Sequence, residues 1–599
     1  MYNTVPQRLA ALREKMKEAG VDAYLVPTDD FHSSEYVGEY FTCRKYITGF
    51  TGSAGTALIM QDMAGLWTDG RYFLQAQQQL EGSGVTLFKM REEGVPTIEA
   101  FLAENMKEGM TLGFDGRTVT ASDWARYKKL MTQNHAAVRN DLDLVGAVWP
   151  DRPALSKKPV WLLDVKYAGE PAKSKIARVR DALQKKEAKS LLLTSLDDIA
   201  WLLNIRGDDV ACNPVVLSYL LLDEKTVTLY VAPEALSAEV KAALSGDGIE
   251  TRPYMQVYED VKHLEEGTAL LIDPNKVNSA LRNLLPDYVT VIEGENPTLL
   301  MKACKNPVEA ENIAYAHVKD GAALTCFIHW LKTSAGKEEI TELSAADKLE
   351  EFRGAQPDYL GPSFSPIIAY KEHAAIMHYS ATEQTSVPIH AEGMLLADTG
   401  GQYLDGTTDV TRTIVLGKVS RKEKEFFTRV LRGHLNLGAA HFLYGCSGMS
   451  FDYLAREPLW EIGEDYNHGT GHGVGFVLNV HEAPNSFHYR SQPGRKAQTI
   501  LEEGMVTSNE PGYYLPGEFG IRHENLVICK KAEKKPCGQF MRFEALTLVP
   551  FDLDGIIPDM LSDKEKERLN AYHQRVYETI GPLVPEDVRV WLKEATRRI

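Results

Sequence analysis

The chain has 599 residues, which is too long for one hydrophobic core and corresponds to roughly three or four domains of about 150 residues each. Apolar residues make up 44% and charged residues 25%, proportions that exclude a largely disordered chain. The 66 basic and 83 acidic residues give a formal net charge of −17, and this acidic balance disfavours nucleic acids and anionic membranes as partners.

The cysteines and the apolar stretches indicate a cytoplasmic protein. Seven scattered cysteines without a C-x-x-C pair do not suggest a disulfide framework, so reduced thiols are expected. The N-terminus, MYNTVPQRLAALREK, lacks the apolar segment of a signal peptide. The longest apolar stretch, near Val215–Leu222, has the length of a strand and falls far short of the roughly 20 residues that cross a bilayer.

A helix followed by a short strand occurs twice in the first half of the chain. Thr4 is the predicted N-cap of the first helix, with Gln7 as its capping-box partner, and AYLVP reads as the strand. The second copy, KSKIARVRDALQKKEAKSLLLTSLDD, aligns with the first at a constant offset of 167 residues: Arg13 with Arg180, Leu25 with Leu192, and Asp30 with Asp197. The repeat predicts two related α/β domains in tandem, although two unrelated amphipathic helices can share such a pattern by chance.

Breaks in the helical pattern predict the domain boundaries. The stretch WPDRPALSKKP has three prolines and no helical period. Further on, Asn306 is a predicted N-cap, with Pro307 at the first helical position and Glu309 as the capping partner. Two helical segments follow Pro550. We therefore predict an N-terminal domain at 1–155, a second related domain at 156–305, a third domain at 306–550 and a C-terminal helical extension at 551–599.

Five residues in the third domain are of the types that bind divalent metals. They lie in the segments LLADTGGQYLDGTTDVTRT, HGTGHGVG, SNEPGYY and GIRHEN: Asp398, Asp409, His472, Glu510 and Glu524. Four carboxylates and one imidazole can hold two divalent ions about 3.5–4 Å apart and prepare a hydroxide between them. This oxygen-rich set favours a hard ion such as Mn²⁺, with Co, Fe and Zn as alternatives. The pattern predicts a two-metal hydrolase.

The spacing of Asp398 and Asp409 supports this interpretation. Asp398 ends the apolar run Met394–Ala397, and Asp409 begins the run DVTRTIVL, 11 residues later. In an antiparallel hairpin with an even-length loop, residues on one face of the two strands are an odd number apart. Both carboxylates are therefore predicted to face one cavity. Either aspartate alone is more typical of a turn or a strand end, so the hypothesis depends on the full set.

Two motifs in this region have competing interpretations. Asp398-Thr399-Gly400 matches the DTG tripeptide of aspartic proteases, but those enzymes need two such aspartates and the chain has no second D-T/S-G. The glycines of His468–Gly475 do not follow the G-x-G-x-x-G spacing of a nucleotide-binding loop. Glycine at alternate positions instead lets backbone and ligand approach closely. The pattern alone does not decide whether His472 or His468 binds metal.

These motifs, in this order, resemble those of the pita-bread metallopeptidase family, which includes methionine aminopeptidase, prolidase and aminopeptidase P. The resemblance is to the long, three-domain, cytosolic form of Xaa-Pro aminopeptidases. It includes ITGFTGSAGTALI and WTDGRYFLQA in the first domain, SLDDIAWLLNIRG and NPVVLSY in the second, and DKEKERLNAYH near the C-terminus. It implies two creatinase/prolidase-type α/β domains, a pita-bread α+β catalytic domain and a C-terminal helical extension.

The resemblance also implies a role for each metal ligand. Asp398 would chelate one ion, while Asp409 and Glu524 would bridge both. His472 and Glu510 would complete the coordination of the second ion. Two residues would brace Asp398 from outside the ligand set: Tyr514 and Arg522.

By the same resemblance, the protein would release the N-terminal residue from peptides with proline in the second position. A hydroxide held by the two ions would attack the scissile carbonyl, with Glu510 accepting its proton. His481 would hydrogen-bond the carbonyl oxygen and help to transfer the proton, and His378 would join the catalytic set. Three histidines would line the substrate site: His378, His468 and His481.

Two other functions remain open at this point. A prolidase cleaves only Xaa-Pro dipeptides, and prolidases usually carry one N-terminal domain rather than two. A non-catalytic pita-bread module binds peptides or histones and lacks the metal ligands, all five of which are present here. The resemblance further implies that the protein is a homodimer.

Overall fold

The computed structural model describes residues 3–490 and 499–599. The chain divides into two compact units. The first comprises the chain up to Leu163 together with Glu170–Thr298, and the second comprises Asp164–Gly169 together with the chain from Leu299 to the C-terminus. Within the described residues, none of the helices combines the length and the apolar character needed to cross a bilayer.

The first unit begins with an α/β domain. Its helices and strands are α1 (Val5–Ala19), β1 (Ala23–Pro27), α2 (Cys43–Thr48), β2 (Thr56–Met60), β3 (Ala64–Thr68), α3 (Phe73–Gln79), β4 (Thr86–Lys89), α4 (Ile98–Asn105), β5 (Thr111–Gly113), α5 (Ala121–Gln133), β6 (Ala137–Arg139) and α6 (Leu144–Ala147). The strands form one mixed sheet in the order β4-β3-β2-β1-β5-β6. Strands β1, β2 and β3 pair antiparallel, and the remaining pairs are parallel.

The next segment builds a second α/β domain. Its elements are β7 (Trp161–Leu162), α8 (Ala172–Lys185), β8 (Ser190–Leu193), α9 (Leu196–Leu203), β9 (Ile205–Arg206), β10 (Ser218–Leu222), β11 (Val227–Val231), α10 (Ala238–Gly246), β12 (Ile249–Pro253), α11 (Val257–Asp260), β13 (Ala269–Ile272), α12 (Ser279–Leu284) and β14 (Thr290–Glu293). The short helix α7 (Val165–Ala168) interrupts this series and belongs to the second unit. The main sheet has the order β12-β11-β10-β8-β13-β14. Its strand directions repeat those of the first sheet, with β8 in the place of β1.

The predicted repeat is therefore confirmed as a repeat of topology. Helices α1 and α8 begin 167 residues apart, and so do strands β1 and β8. Arg13 Nε donates to the Met60 carbonyl over 2.8 Å, and Arg180 Nε donates to the Asp223 carbonyl over 2.9 Å. In both copies an arginine thus ties the first helix to the following antiparallel strands. The capping box of Thr4 is also present.

The second unit contains an α+β domain. Its elements are α13 (Pro297–Ala303), α14 (Pro307–Ser334), α15 (Glu342–Gly354), β15 (Tyr359–Pro362), β16 (Ile367–Tyr370), β17 (Met394–Thr399), β18 (Gly401–Tyr403), β19 (Gly406–Thr407), β20 (Val410–Val415), α16 (Arg421–Gly438), β21 (His441–Leu443), α17 (Met449–Trp460), β22 (Gly471–Gly473), β23 (Glu482–Phe487), β24 (Val506–Asn509), β25 (Gly512–Leu515), β26 (Phe519–Arg522), β27 (Asn525–Lys535) and β28 (Gly538–Ala545).

Two antiparallel sheets of this domain position the site. The first has the order β16-β17-β20, and the second has the order β21-β28-β27-β24-β22-β23. Helix α14 begins with the predicted capping box of Asn306 and Glu309, and its buried face packs with α15 against the first sheet. Leu395 and Ala397 belong to that core, so the alternating side chain of Asp398 points to the opposite face of β17. Helix α17 packs on the second sheet.

The chain ends in two helices, α18 (Asp563–Ile580) and α19 (Glu586–Ala595). Ser562 and Glu565 form a capping box at the start of α18. Val576 and Ile580 of α18 and Leu592 of α19 share a buried apolar cluster with α14. The predicted C-terminal helices are therefore packed as part of the second unit.

Candidate active site

The five predicted metal ligands lie on or beside strands of the two antiparallel sheets. Asp398 is on β17, directly opposite Thr411 of β20, and Asp409 precedes Thr411 by two positions. Asp398 and Asp409 thus lie on one face of the strand pair, as the spacing of 11 predicts. The other three predicted ligands come from the neighbouring strands: His472 from the middle of β22, Glu510 from the end of β24, and Glu524 from the link between β26 and β27.

The side chains of these residues converge. Donor atoms of Asp409, His472 and Glu524 all lie within 4.8 Å of one another. His472 Nε2 is 3.4 Å from Asp409 Oδ2 and 3.4 Å from Glu510 Oε1. His472 Nδ1 is 2.9 Å from the Gly473 carbonyl, which can only accept a hydrogen bond, so Nδ1 carries a proton. In the neutral ring Nε2 then turns its lone pair towards the carboxylates, an arrangement that suits a cation between them.

The carboxyl groups of the site are buried close together, which makes their negative charges costly. Burial raises the pKa of Glu524 well above its usual range, and the charges of Asp409, Glu510 and Asp398 raise it further. Burial also raises the pKa values of Asp398 and Glu510, although the positive charge of Arg522 opposes both shifts. The donor set and its excess of buried negative charge fit divalent cations, since bound cations reverse this penalty.

The same charges act on the imidazole. Burial alone would lower the pKa of His472, but its hydrogen bond with Asp409 and the charges of Glu510 and Asp409 raise the pKa to about 9. A ring ligand must lose this second proton before it binds a metal. Binding of a metal ion by His472 would therefore be coupled to proton release.

Two hydroxyl groups that were not singled out in the sequence orient the carboxylates. Thr411 Oγ1 donates to Glu524 Oε2 over 2.7 Å, and Ser508 Oγ donates to Glu510 Oε1 over 3.0 Å. Ser508 also accepts a hydrogen bond from the backbone N–H of His472 at 2.9 Å. Strand alternation could have identified both hydroxyl groups from the sequence, because residues two positions apart in a strand lie on the same face. Ser508 is two positions before Glu510, and Thr411 is two positions after Asp409.

A chain of polar contacts links Asp398 to His468. Arg522 forms an ion pair with Asp398, and its other terminal nitrogen donates to the Tyr514 hydroxyl over 2.7 Å. Tyr514 in turn contacts His468 Nε2 at 2.9 Å, while His468 Nδ1 donates to the Gly469 carbonyl. Burial, together with the charge of Arg522, lowers the pKa of His468 to about 3, so the ring is a neutral acceptor for Tyr514. Tyr514 is therefore linked to Asp398 by way of Arg522, which bonds to both side chains.

The remaining predicted histidines lie around this centre. The ring of His481 is 4.3 Å from the ring of His472, centroid to centroid, in an edge-on arrangement. His378 is half-buried, in the segment after a 3₁₀ turn at Lys371–Ala375. His481 is thus beside a metal-ligand candidate.

The glycines at alternate positions allow neighbouring strands to lie close together. A Cβ atom on Gly471 would lie 1.8 Å from the Ser508 carbonyl oxygen, and one on Gly473 would lie 2.2 Å from the Glu482 carbonyl oxygen. Both distances are far inside van der Waals contact. Glycine at these two positions therefore lets β22 lie against β24 and β23, so close approach of backbone, rather than of ligand, accounts for them.

Fold and site together define a class of protein: a hydrolase with an acidic metal centre between two antiparallel sheets, preceded by two copies of an α/β domain. Comparison with known families agrees with this organisation. Residues 311–531 match metallopeptidase family M24, and residues 539–599 match the C-terminal region of peptidase M24. Residues 8–143 and 151–309 each match the creatinase/prolidase N-terminal domain.

Similarity to individual proteins extends over the whole length. The chain is 39% identical to a probable Xaa-Pro aminopeptidase P of Paracoccidioides brasiliensis, with 99% of each chain covered. It is 37% identical to aminopeptidase P2 of Arabidopsis thaliana, covering 99% of this chain and 88% of the relative. The crystal structure of an X-prolyl aminopeptidase from Caenorhabditis elegans, described as a cytosolic enzyme with a di-nuclear active site, matches with a TM-score of 0.95, 33% identity and complete coverage of both chains. The chain therefore belongs to the Xaa-Pro aminopeptidase family, within metallopeptidase family M24.

We expect Asp409→Ala and Glu524→Ala each to abolish binding of both divalent ions while the chain stays folded. Each change removes a donor at the centre of the cluster but also relieves repulsion between buried carboxylates. The loss of metal affinity should exceed the about 10–100-fold that follows removal of a residue merely supporting a ligand. Elemental analysis and thermal unfolding measure metal content and folding. Glu544→Ala, a carboxylate on β28 outside the site, is the matched control; full metal content in either test variant would contradict the assignment.

Proposed function

We propose that the protein is a metal-dependent aminopeptidase that releases the N-terminal residue from peptides with proline in the second position. One observation carries this conclusion: similarity to Xaa-Pro aminopeptidases covers both N-terminal domains as well as the catalytic and C-terminal regions. The crystal structure of an Xaa-Pro dipeptidase from Bacillus anthracis matches only 64% of this chain, with a TM-score of 0.51 and 25% identity. The extent of similarity favours the aminopeptidase over the dipeptidase.

The proposed ligands of two divalent ions are the five residues of the cluster: Asp398, Asp409, His472, Glu510 and Glu524. Mn²⁺ is the proposed metal, because four carboxylates and one imidazole suit a hard ion. When bound, the ions supply Lewis-acid chemistry that polarises the peptide carbonyl and lowers the pKa of water. Glu524 and the carboxylates around it would hold the ions, whose positive charge would offset the burial and the neighbouring negative charges that raise the pKa of Glu524.

Two side chains are proposed to move protons. Glu510 accepts the proton of the attacking water, and Ser508 holds its Oε1 in a fixed direction. Burial raises the pKa of Glu510, which suits a carboxylate that holds a proton during a reaction. His481, beside the ring of His472, donates a hydrogen bond to the carbonyl oxygen and helps to transfer the proton taken up by Glu510 to the leaving proline nitrogen.

Further residues are proposed to bind the peptide or to support the ligands. His378 and His468 line the substrate site, and His378 joins Glu510 and His481 in the catalytic set. Tyr514 and Arg522 hold Asp398 in place through their chain of hydrogen bonds, as residues behind metal ligands commonly do.

The chemistry suits an Xaa-Pro bond. This bond is a tertiary amide without an N–H, so enzymes that grip the substrate backbone at that group handle it poorly. Acid–base residues and metal ions that act on the carbonyl oxygen need no N–H at the scissile bond. A site of this type can therefore select proline by the shape of its pocket.

We also propose domain limits at 1–155, 156–305, 306–550 and 551–599, together with a cytoplasmic location. Three family matches support the first two boundaries, since 8–143, 151–309 and 311–531 each fall almost entirely within one segment, whereas the C-terminal match begins at 539, before the proposed limit at 551. The cytosolic C. elegans relative and seven cysteines without a disulfide among them support the location.

We propose that the protein is a homodimer that uses the outer face of α17. Tyr453, Trp460 and Ile462 are 50%, 37% and 44% exposed. The ring of Trp460 lies 5.9 Å from that of Tyr453 and 5.4 Å from that of Tyr489, so the three aromatic side chains form a continuous apolar patch. Exposed apolar patches of this kind mark interaction surfaces. Helix α17 also supports the site, because Arg456 donates to the His468 carbonyl over 2.7 Å.

The substrate assignment is tested with Ala-Pro-Ala, Ala-Pro and Ala-Ala-Ala after removal and replacement of metal. We expect release of free alanine from Ala-Pro-Ala, loss of turnover with a chelator, and the best recovery with Mn²⁺ compared with Co, Zn and Fe ions. Chromatography of the products measures each rate. Cleavage confined to Ala-Pro identifies a dipeptidase instead, and absence of both metal binding and hydrolysis identifies a binding module.

The role of His481 is tested by His481→Ala. Metal content should be unchanged, since the side chain is not a proposed ligand, while kcat should fall by about 10²–10⁴-fold with the loss of positioned proton transfer. Steady-state kinetics and elemental analysis give both quantities. His441→Ala, at a side chain of β21 that is 44% exposed, controls for loss of a histidine as such. Equal kcat values for the two variants would exclude this role.

The dimer interface is tested by Trp460→Lys. A charge within the apolar patch should convert the protein to a folded monomer, as measured by light scattering coupled to gel filtration. Leu74→Lys introduces the same charge at a side chain that is 54% exposed in the first unit, and this variant should remain dimeric. A dimeric Trp460→Lys protein would place the interface elsewhere.

A further inference from the structure

Glu482, which follows His481 in the chain, is buried and forms ion pairs with two lysines. Lys302 Nζ is 2.8 Å from Glu482 Oε2, and Lys305 Nζ forms an ion pair with Glu482 Oε1. The side chains of the two lysines and the glutamate are 5%, 1% and 2% exposed. Because each carboxylate oxygen has its own ammonium partner, the carboxylate cannot rotate without breaking an ion pair.

This arrangement is more than folding requires. Burying three charged groups costs more free energy than burying apolar residues of similar size, so ion pairs of this kind are weak evidence for a role in stability. One lysine would already neutralise Glu482. The second lysine adds a further buried charge, and its structural effect is to fix the direction of the carboxylate.

The lysines are themselves held by the backbone near β24. They lie at the end of α13 and in the short link to α14. The N–H of Lys305 donates to the Gly504 carbonyl over 3.1 Å, and Cys304 forms a β-bridge with Met505. Met505 leads directly into β24, which ends beside Glu510. The lysines therefore share a rigid frame with a proposed catalytic residue.

Glu482 is held against β22, the strand that carries the proposed ligand His472. It is the first residue of β23 and pairs with Gly473 of β22, where the Glu482 carbonyl leaves no room for a Cβ atom. His472 precedes Gly473, and its ring lies 4.3 Å from the ring of His481. His481 lies in a bend immediately before β23, so anchoring Glu482 fixes the point at which the chain that carries His481 enters the strand.

We propose that Lys302, Lys305 and Glu482 form a clamp that positions His481 for proton transfer. This inference rests on the role of His481 proposed above. The clamp residues are positioning residues that act through the backbone between Glu482 and His481. They set where the imidazole stands relative to His472 and Glu510.

The test combines Lys302→Met with His481→Ala. Lys302→Met leaves the neutral pair of Lys305 and Glu482 intact, so the chain should fold and retain its metal. We expect kcat to fall by about tenfold to a hundredfold with KM unchanged, the scale of a misplaced catalytic group. In the His481→Ala background the same change should lower kcat by less than about twofold, because two changes that act through one group are not additive.

Lys332→Met is the matched control. Lys332 lies in the same unit and bridges two carboxylates, with Nζ 2.6 Å from Asp552 and 2.9 Å from Asp554, but it contacts none of the proposed site residues. Its removal should reduce thermal stability and leave kcat unchanged. Lys302→Gln, which keeps an N–H donor, replaces Lys302→Met if that variant does not fold.

The possible outcomes separate the two proposals. Full kcat in His481→Ala would overturn the proposed role of His481 itself. A normal loss in His481→Ala, combined with unchanged kcat in Lys302→Met, would overturn the clamp alone. An equal loss from Lys302→Met in both backgrounds would show an effect independent of His481 and would also overturn the clamp.

Discussion

Burial of several carboxylates at one place is the constraint on which the second unit depends. Burial raises the pKa values of Asp398, Glu510 and Glu524, which means that the charged forms are held at a cost in free energy. Arg522 offsets part of that cost at Asp398, and Thr411 and Ser508 supply hydrogen bonds to the two glutamates. Divalent cations would offset the remainder. Metal ions in such a site are thus part of its charge balance as well as its chemistry.

Arg412 connects this charge balance to the C-terminal helices. Its buried guanidinium donates to the carbonyls of Thr411 and Glu524 over 2.8 and 2.5 Å and to the Tyr572 hydroxyl of α18 over 2.9 Å. It also stacks on Phe551, with 4.1 Å from Cζ to the ring centroid. These partners are neutral, so the positive charge of Arg412 remains available to the carboxylates beyond them. The C-terminal extension therefore supports the strand and link that carry Asp409 and Glu524.

Local features of this chain were predictable because short-range physics determines them. The capping boxes of Thr4 and Asn306 follow from hydrogen bonds three residues apart, and the shared face of Asp398 and Asp409 follows from strand alternation. The repeat of the two α/β domains could be recognised in the sequence only over the segments in which the elements and loops of the two copies have equal lengths. The offset of 167 holds for β1 and β8 but becomes 162 for β2 and β10, since the connecting loops differ in length.

The rest of the site was not predictable because distant segments make it. Lys302 and Glu482 are 180 residues apart, and neither stands in a pattern that names the other. Their contact depends on α13, β23 and β24 meeting, which no local spacing encodes. The role of the alternating glycines was likewise unclear until the neighbouring carbonyls were in view. The sequence was sufficient to identify the reactive side chains, whereas the residues that hold them in place depend on how distant segments pack together.

The close approach of the strands explains how the site keeps several negatively charged side chains in fixed positions. A side chain at Gly471 or Gly473 would force β22 away from β24 and β23. His472 would then move away from Glu510, and its ring would also leave that of His481. Ligands on strands that touch backbone to backbone have little freedom to spread apart, even though their carboxylates repel one another. The sheet therefore holds the acidic groups together against their own electrostatics, and that is the condition for a preformed metal site.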